Sequence, residues 1–170
     1  MRDIRNTAPV IVGGAFVVPQ GLIRQRRGEP AEQIMADAAA KKRVEMAAMK
    51  AVIEHEEALG HTCEDVSAKN CGWDITSVVP PKDGVNQLPR HIEVKGRVAG
   101  ADTVTVSKNE IMYALNQGEK FILAIVFVDG ENTDGPHYIR NPFTSVPDRA
   151  EAGRTFKIKK LLEDSKDSHD

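Results

Sequence analysis

Asp74, Glu93 and Lys95 are the residues in this sequence whose types and spacing could do chemistry. Glu93 and Lys95 stand two apart in "RHIEVKGRV". The alternation there reads as a strand, with Ile92 and Val94 on one face and His91, Glu93 and Lys95 on the other. Neither charge is cheap to bury unless it is paired or used. Asp74 follows Gly72 and Trp73 in a second strand-like stretch, 73–79, and would bring another carboxylate from a neighbouring strand. Two carboxylates suit a hard cation such as Mg²⁺ or Mn²⁺, which takes oxygen ligands and keeps several waters. Such an ion polarises a phosphodiester and activates water. Lys95 would orient the attacking water or stabilise the developing negative charge. The plainer reading of the same residues is a surface Glu–Lys pair on an amphipathic strand, beside a turn-capping aspartate.

The elements that must position these residues follow from pattern. Residues 30–59 are rich in helix formers and stop at Gly60, a natural C-cap. On a helical wheel Val44, Ala47, Ala48, Ala51, Val52, His55, Ala58 and Leu59 make one stripe. Glu45 and Glu56 lie beyond one edge of it, Glu54 lies beyond the other, and Glu57 points away. His55, on the stripe, reads as a core histidine. A short strand is expected at 63–66 and another at 103–106. Ser107 and Glu110 have capping-box spacing at the start of a helix that Asn116 and Gly118 end. "KFILAIVFV" is the most apolar stretch and reads as a strand inside the sheet. "DGENTDGP" reads as an exposed loop, and "HYIRNP" as a short edge strand stopped by Pro142. The economical arrangement is α/β, one central mixed β-sheet flanked by helices.

Bulk composition narrows the function classes. At 170 residues and 41% hydrophobic, the chain has the material for one domain with a core. The net charge of −2 gives no general attraction to nucleic acid, so any such binding needs a local basic patch. Cys63 and Cys71 form no CxxC pair and join no His/Cys cluster, which argues against structural zinc and for a reducing compartment. The apolar stretch 8–18 is too short to span a membrane and is interrupted at Gly13-Gly14. A cytoplasmic location is expected. Residues 1–28 read as one or two apolar strands and a basic linker with Arg24, Arg26 and Arg27, a remnant of a preceding module. The main domain is expected over 30–162 and a disordered tail over 163–170.

In pattern form the three central residues are D-x(18)-E-V-K, which resembles the core motif of the restriction-endonuclease-like PD-(D/E)XK superfamily. The block from "VEMAAMKAVIEHEEALG" through "GWDITS", "RHIEVKGR", "VTVSKNEIMYALNQGEKFILAIV" and "YIRNP" resembles a domain of unknown function. That domain closes the plant NO VEIN protein and bacterial and archaeal helicase-like proteins, some tied to restriction or phage defence. The resemblance covers residues 43–142. It implies a restriction-endonuclease-like fold. It also implies that Asp74 is the metal-binding aspartate, Glu93 the acid of the (D/E)XK triplet and Lys95 its lysine. Many superfamily members add a glutamate from the first core helix. Glu45 is the choice here, with Glu56 and Glu54 behind it. Trp73 stands where a tyrosine is more usual.

Together these imply a Mg²⁺- or Mn²⁺-dependent endodeoxyribonuclease module working beside a helicase-like partner or parent chain. Lys69, Arg90, Arg97 and Lys108 are its candidate DNA contacts, each equally readable as a solvated charge. Ser107, Asn109 and Glu110 read first as a helix cap and second as contacts to DNA or to the site. A non-catalytic DNA-binding module of the same fold is one alternative. Another is a protein-interaction domain, possible as a homodimer through residues 8–18. Cleavage that survives loss of Asp74 and Lys95 would argue against the nuclease reading.

Overall fold

In this computed structural model residues 18–69 and 71–166 are described. The strand or strands expected over 8–18 fall, apart from Val18, outside the described residues. Contacts divide the chain into a unit ending at Ala39 and a unit Ala40–Asp170. In the first, "QGLIRQR" is not strand and linker but a short helix, α1 (Gln20–Arg26). Arg24 there is not simply solvated, since it pairs with Glu29 at 2.5 Å and Asp37 at 2.7 Å.

Helix α2 (Ala31–Ala58) matches the long helix expected. Gly60 follows it at φ +83°, a left-handed turn that glycine takes without steric cost. The stripe it buries is narrower than the wheel indicates. Ala48 and Val52 are fully buried, four residues apart, and the next residue on that line is Glu56, equally buried. His55 is exposed, which corrects its reading as a core histidine. It touches the Tyr138 ring from the surface instead.

Strands β1 (Thr62–Asp65), β2 (Ile75–Val78) and β3 (Arg90–Val98) follow, then β4 (Thr103–Ser107), helix α3 (Lys108–Gln117) and β5 (Phe121–Asp129). β6 (Asn132–Arg140) starts inside the segment expected to be loop, so the edge strand is longer than its apolar part suggests. Its first residues are exposed, which is why they lack a strand's apolar alternation. β7 (Gly153–Lys157) and α4 (Ile158–Lys166) complete the chain. Helix α4 runs through 163–166, where a disordered tail was expected. Residues 167–170 lie outside the described residues.

The main sheet has the order β1-β2-β3-β5-β6. β3 and β5 are parallel, while β1–β2, β2–β3 and β5–β6 are antiparallel. The fold is therefore mixed α/β with a central mixed sheet and helices on its faces. β5 has neighbours on both sides, and its residues from Phe121 to Val126 are all buried. This explains its continuous apolar run. One face of the sheet packs Ile75, Ile92, Ile122 and Ala124 against Ala48 and Val52 of α2. The other packs Leu123 and Ile125 against Ile111 and Ala114 of α3, Ile158 and Leu161 of α4, and the β4–β7 pair. Gly96 lets α2 sit close to β3, because a Cβ there would lie 2.8 Å from the Val44 carbonyl oxygen.

Candidate active site

The site begins where β2 stops pairing with β3. The register between them covers only Ile75 to Ser77 against Ile92 to Arg90. From Glu93 onward, that edge of β3 is not covered by β2. Asp74 sits at the point of departure. Its N–H donates to the Ile92 carbonyl at 3.0 Å, and its own carbonyl accepts from Val66 N–H at 2.8 Å. Its side chain then takes over where the strand ladder ends. Val94 N–H donates to Asp74 Oδ2 at 2.9 Å. The aspartate is thus held in place by its own backbone and by the strand that carries Glu93.

Alternation along β3 puts Glu93 and Lys95 together, as expected from sequence. Glu93 is only 4% exposed. Lys95 Nζ lies 2.7 Å from Glu93 Oε1 and donates to Glu110 Oε2 at 2.7 Å. Glu110 belongs to the first turn of α3. There it closes a capping box: its N–H donates to Ser107 Oγ, and its carboxylate accepts from Ser107 N–H at 3.0 Å. One Glu110 oxygen, Oε2, therefore serves both the helix start and Lys95.

Electrostatics mark the group as unusual. Burial pushes the Glu93 carboxyl up to about 8; Lys95 opposes the rise, and the negative charges of Asp74 and Glu110 add to it. Burial also raises Asp74, more than the Val94 hydrogen bond and the Lys95 charge lower it. Burial disfavours charge on Lys95, but Glu93 and Glu110 outweigh it and hold the ammonium above its usual value. Glu110 stays below the usual carboxylate range: burial raises it, and Lys95 and Ser107 more than reverse that. The lysine is therefore held in its charged form, and Glu93 gives up its proton less readily than an ordinary carboxyl.

Asp74, Glu93, Lys95 and Glu110 line one cleft of about 1470 Å³, with Glu45, Met49 and Ile53 of α2 along another wall. Glu45, the helix glutamate chosen from sequence, is at this cleft but exposed, and its described partner is Lys41 at 3.6 Å. Glu54 is similarly exposed and paired with Lys50. Glu56 lies apart from the cleft lining, fully buried, with Arg90 Nη1 3.1 Å from its Oε1. The helix acid that reaches Lys95 is Glu110, which sequence offered first as a cap.

The four cationic candidates separate. Arg97 lines the cleft, with only its Nε committed, to the Thr103 carbonyl at 2.9 Å. Lys69 pairs with Glu64 at 2.6 Å. Lys108 donates to the Asp148 and Arg149 carbonyls. Arg90 spends its charge on Glu56. Beside the acids, Trp73 stacks on His91 and Tyr113, a cluster that sequence did not reveal. Its only sequence signal is the aromatic directly before Asp74. Among the described residues, no group of three or more His, Cys, Asp and Glu is placed to hold a metal ion. None of their helices is long and apolar enough to cross a membrane.

The family profile described as "Protein NO VEIN, C-terminal" matches residues 44–139, more than half of the 170-residue chain. The chain belongs to this family. The NO VEIN C-terminal match begins in α2 and ends in β6, so it contains Asp74, Glu93, Lys95 and Glu110 and leaves out β7 and α4. No curated protein and no solved structure matches the chain.

Proposed function

We propose that this NO VEIN C-terminal domain is a metal-dependent DNA endonuclease module on a restriction-endonuclease-like core. The observation that carries the reading is the convergence of Asp74, Glu93 and a doubly paired Lys95 on one open cleft. A bare E-x-K strand would leave the pair at the surface. Here the acid is buried, and the lysine is locked between two carboxylates.

The donor set fits a hard cation. Asp74 and Glu93 supply oxygen only, and the Val94 N–H engages only one of the Asp74 oxygens. Mg²⁺ or Mn²⁺ binds to as few as one or two carboxylates, with water completing the shell, so a third acid is not required. Held by Asp74 and Glu93, such a cation would supply Lewis-acid polarisation of a phosphodiester and activation of a water nucleophile. Because burial holds the Glu93 proton more tightly than usual, a cation bound there would compete with that proton. Lys95 keeps its charge, so it acts as a fixed cation that orients water and stabilises negative charge, not as a proton acceptor. Glu110 fixes the lysine's direction. Arg97, one alternation further along β3, is the phosphate contact the cleft favours. A helicase-like module or parent chain would deliver the DNA.

The test is cleavage of supercoiled plasmid by the purified chain with Mg²⁺ or Mn²⁺. Asp74→Ala and Lys95→Ala are each expected to lower the rate by roughly 100-fold or more. Cleavage unchanged in both variants would remove the proposed mechanism. DNA binding that survives chelation, without cleavage on long incubation, would identify a non-catalytic binding module.

A further inference from the structure

We infer that the ring stack of Trp73, His91 and Tyr113 is the device that holds the site carboxylates in register. The inference rests on the nuclease reading for its consequence in catalysis, but not for its geometry. Each ring is tied in sequence to one acid. Trp73 directly precedes Asp74, His91 stands two residues before Glu93 on the same strand face, and Tyr113 lies one helical turn after Glu110. The indole stacks on His91 with ring centroids 4.4 Å apart and on Tyr113 at 4.5 Å. A 2.6 Å hydrogen bond joins the Tyr113 hydroxyl to His91 Nδ1.

Two further contacts fix the stack. Trp73 Nε1 donates to Thr76 Oγ1 at 2.9 Å, which sets the indole against β2. Tyr113 meets Phe121 edge-on, which anchors α3 to β5. The turn before the indole is itself fitted to Tyr113. Gly72 has φ +101°, and a Cβ there would sit 3.0 Å from the Tyr113 ring. Only glycine allows this close approach at that backbone angle.

Asp74 needs such a device, because β2 no longer pairs with β3 beyond it. Its position depends on one backbone bond to each neighbour and on the Val94 contact. The stack braces the turn that enters Asp74 against both the strand and the helix that carry the other acids. Ring pairs of this kind add specific geometry to their buried area, and a small misplacement of a reacting group is costly. Trp73, His91 and Tyr113 are therefore positioning residues.

Hydrogen exchange at the Val94 amide reads the placement of Asp74 without cation, DNA or turnover. Trp73→Ala is expected to speed it about tenfold more than Val52→Ala, a control that weakens the other core without touching the rings. Trp73→Phe, which keeps a ring, is expected to retain most of the protection. Where the wild-type chain cuts DNA, Trp73→Ala is expected to lower kcat roughly 100-fold with KM little changed, and Trp73→Phe to restore much of it. If Trp73→Ala does not fold, Tyr113→Leu carries the same expectations. Val94 exchange that merely tracks the control, or a folded stack variant with wild-type kcat, would overturn the inference. A wild-type chain that never cuts sinks the nuclease reading, and the amide comparison still decides the stack.

Discussion

Lys95 faces two carboxylates that arrive by different routes. Glu93 comes with it on the strand, so alternation alone predicts the meeting. Glu110 comes from a helix fifteen residues later, and its arrival depends on β4 turning back to start α3 beside β3. Spacing reveals the cap at Ser107 and Glu110 but not the distance from that cap to Lys95. The wheel likewise puts Glu45 at the edge of a stripe without showing that it ends among solvent and Lys41. The double duty of Glu110 can be divided by substitution. Glu110→Gln keeps a side chain that can close a capping box, whereas Glu110→Ala loses it at a cost of about 1 kcal/mol. Urea unfolding is expected to show the alanine variant clearly less stable than the glutamine one. Both are expected to cut more slowly than wild type, since both leave Lys95 without its second carboxylate. Equal stability in the two variants would mean that the cap contributes little.

Between elements, a dense polar tie is centred on Glu56, on the line of α2 that carries Ala48 and Val52. Glu56 is fully buried where α2 meets the sheet. Ser77 of β2 donates to its Oε2 at 2.6 Å, and Tyr138 of β6 donates to its Oε1 at 2.6 Å. His61 Nδ1 lies 2.9 Å from Oε2, and Arg90 of β3 supplies the countercharge. Arg90 also lies over the Tyr138 ring, with Cζ 4.9 Å from its centroid. Burial pushes the Glu56 carboxyl up, but the hydrogen bonds from Ser77, Tyr138 and His61 and the Arg90 charge outweigh it and leave it below its usual value of 4.5. A carboxyl depressed in the folded state adds stability above its unfolded pKa, and that stability is lost as pH falls through the folded one. Glu56→Gln is expected to cost on the order of 3 kcal/mol at neutral pH, because it leaves Arg90 uncompensated. In denaturant titrations at several pH values, the gap between wild type and variant is expected to narrow below about pH 4.5. Parallel curves across the acid range would show that Glu56 carries no such linkage. A helical wheel could not find this cluster, because it treats a charged residue as solvent-facing. Three of its partners come from strands whose order is not written in local pattern.

For the whole molecule, the long α2, the β3 alternation, the capped α3 and the apolar β5 were legible because each is a local pattern of its own segment. The parallel pairing of β3 with β5, and the stop in β2 that opens the cleft, are long-range properties that periodicity cannot express. β7 and α4 were missed for a related reason. They complete the α3 face from short, polar-looking segments in which Phe156, Ile158, Leu161 and Leu162 turn inward. Membership of the NO VEIN C-terminal family spans the four site residues. What brings them together is the fold, which holds Asp74 where β2 stops pairing with β3. The most direct measurement is a crystal of the chain soaked in Mn²⁺ and examined at the manganese absorption edge. The account predicts one anomalous peak within oxygen-ligand distance, about 2–2.6 Å, of both Asp74 and Glu93, lost in Asp74→Ala. A peak only at other acids, or none at saturating Mn²⁺, would contradict it.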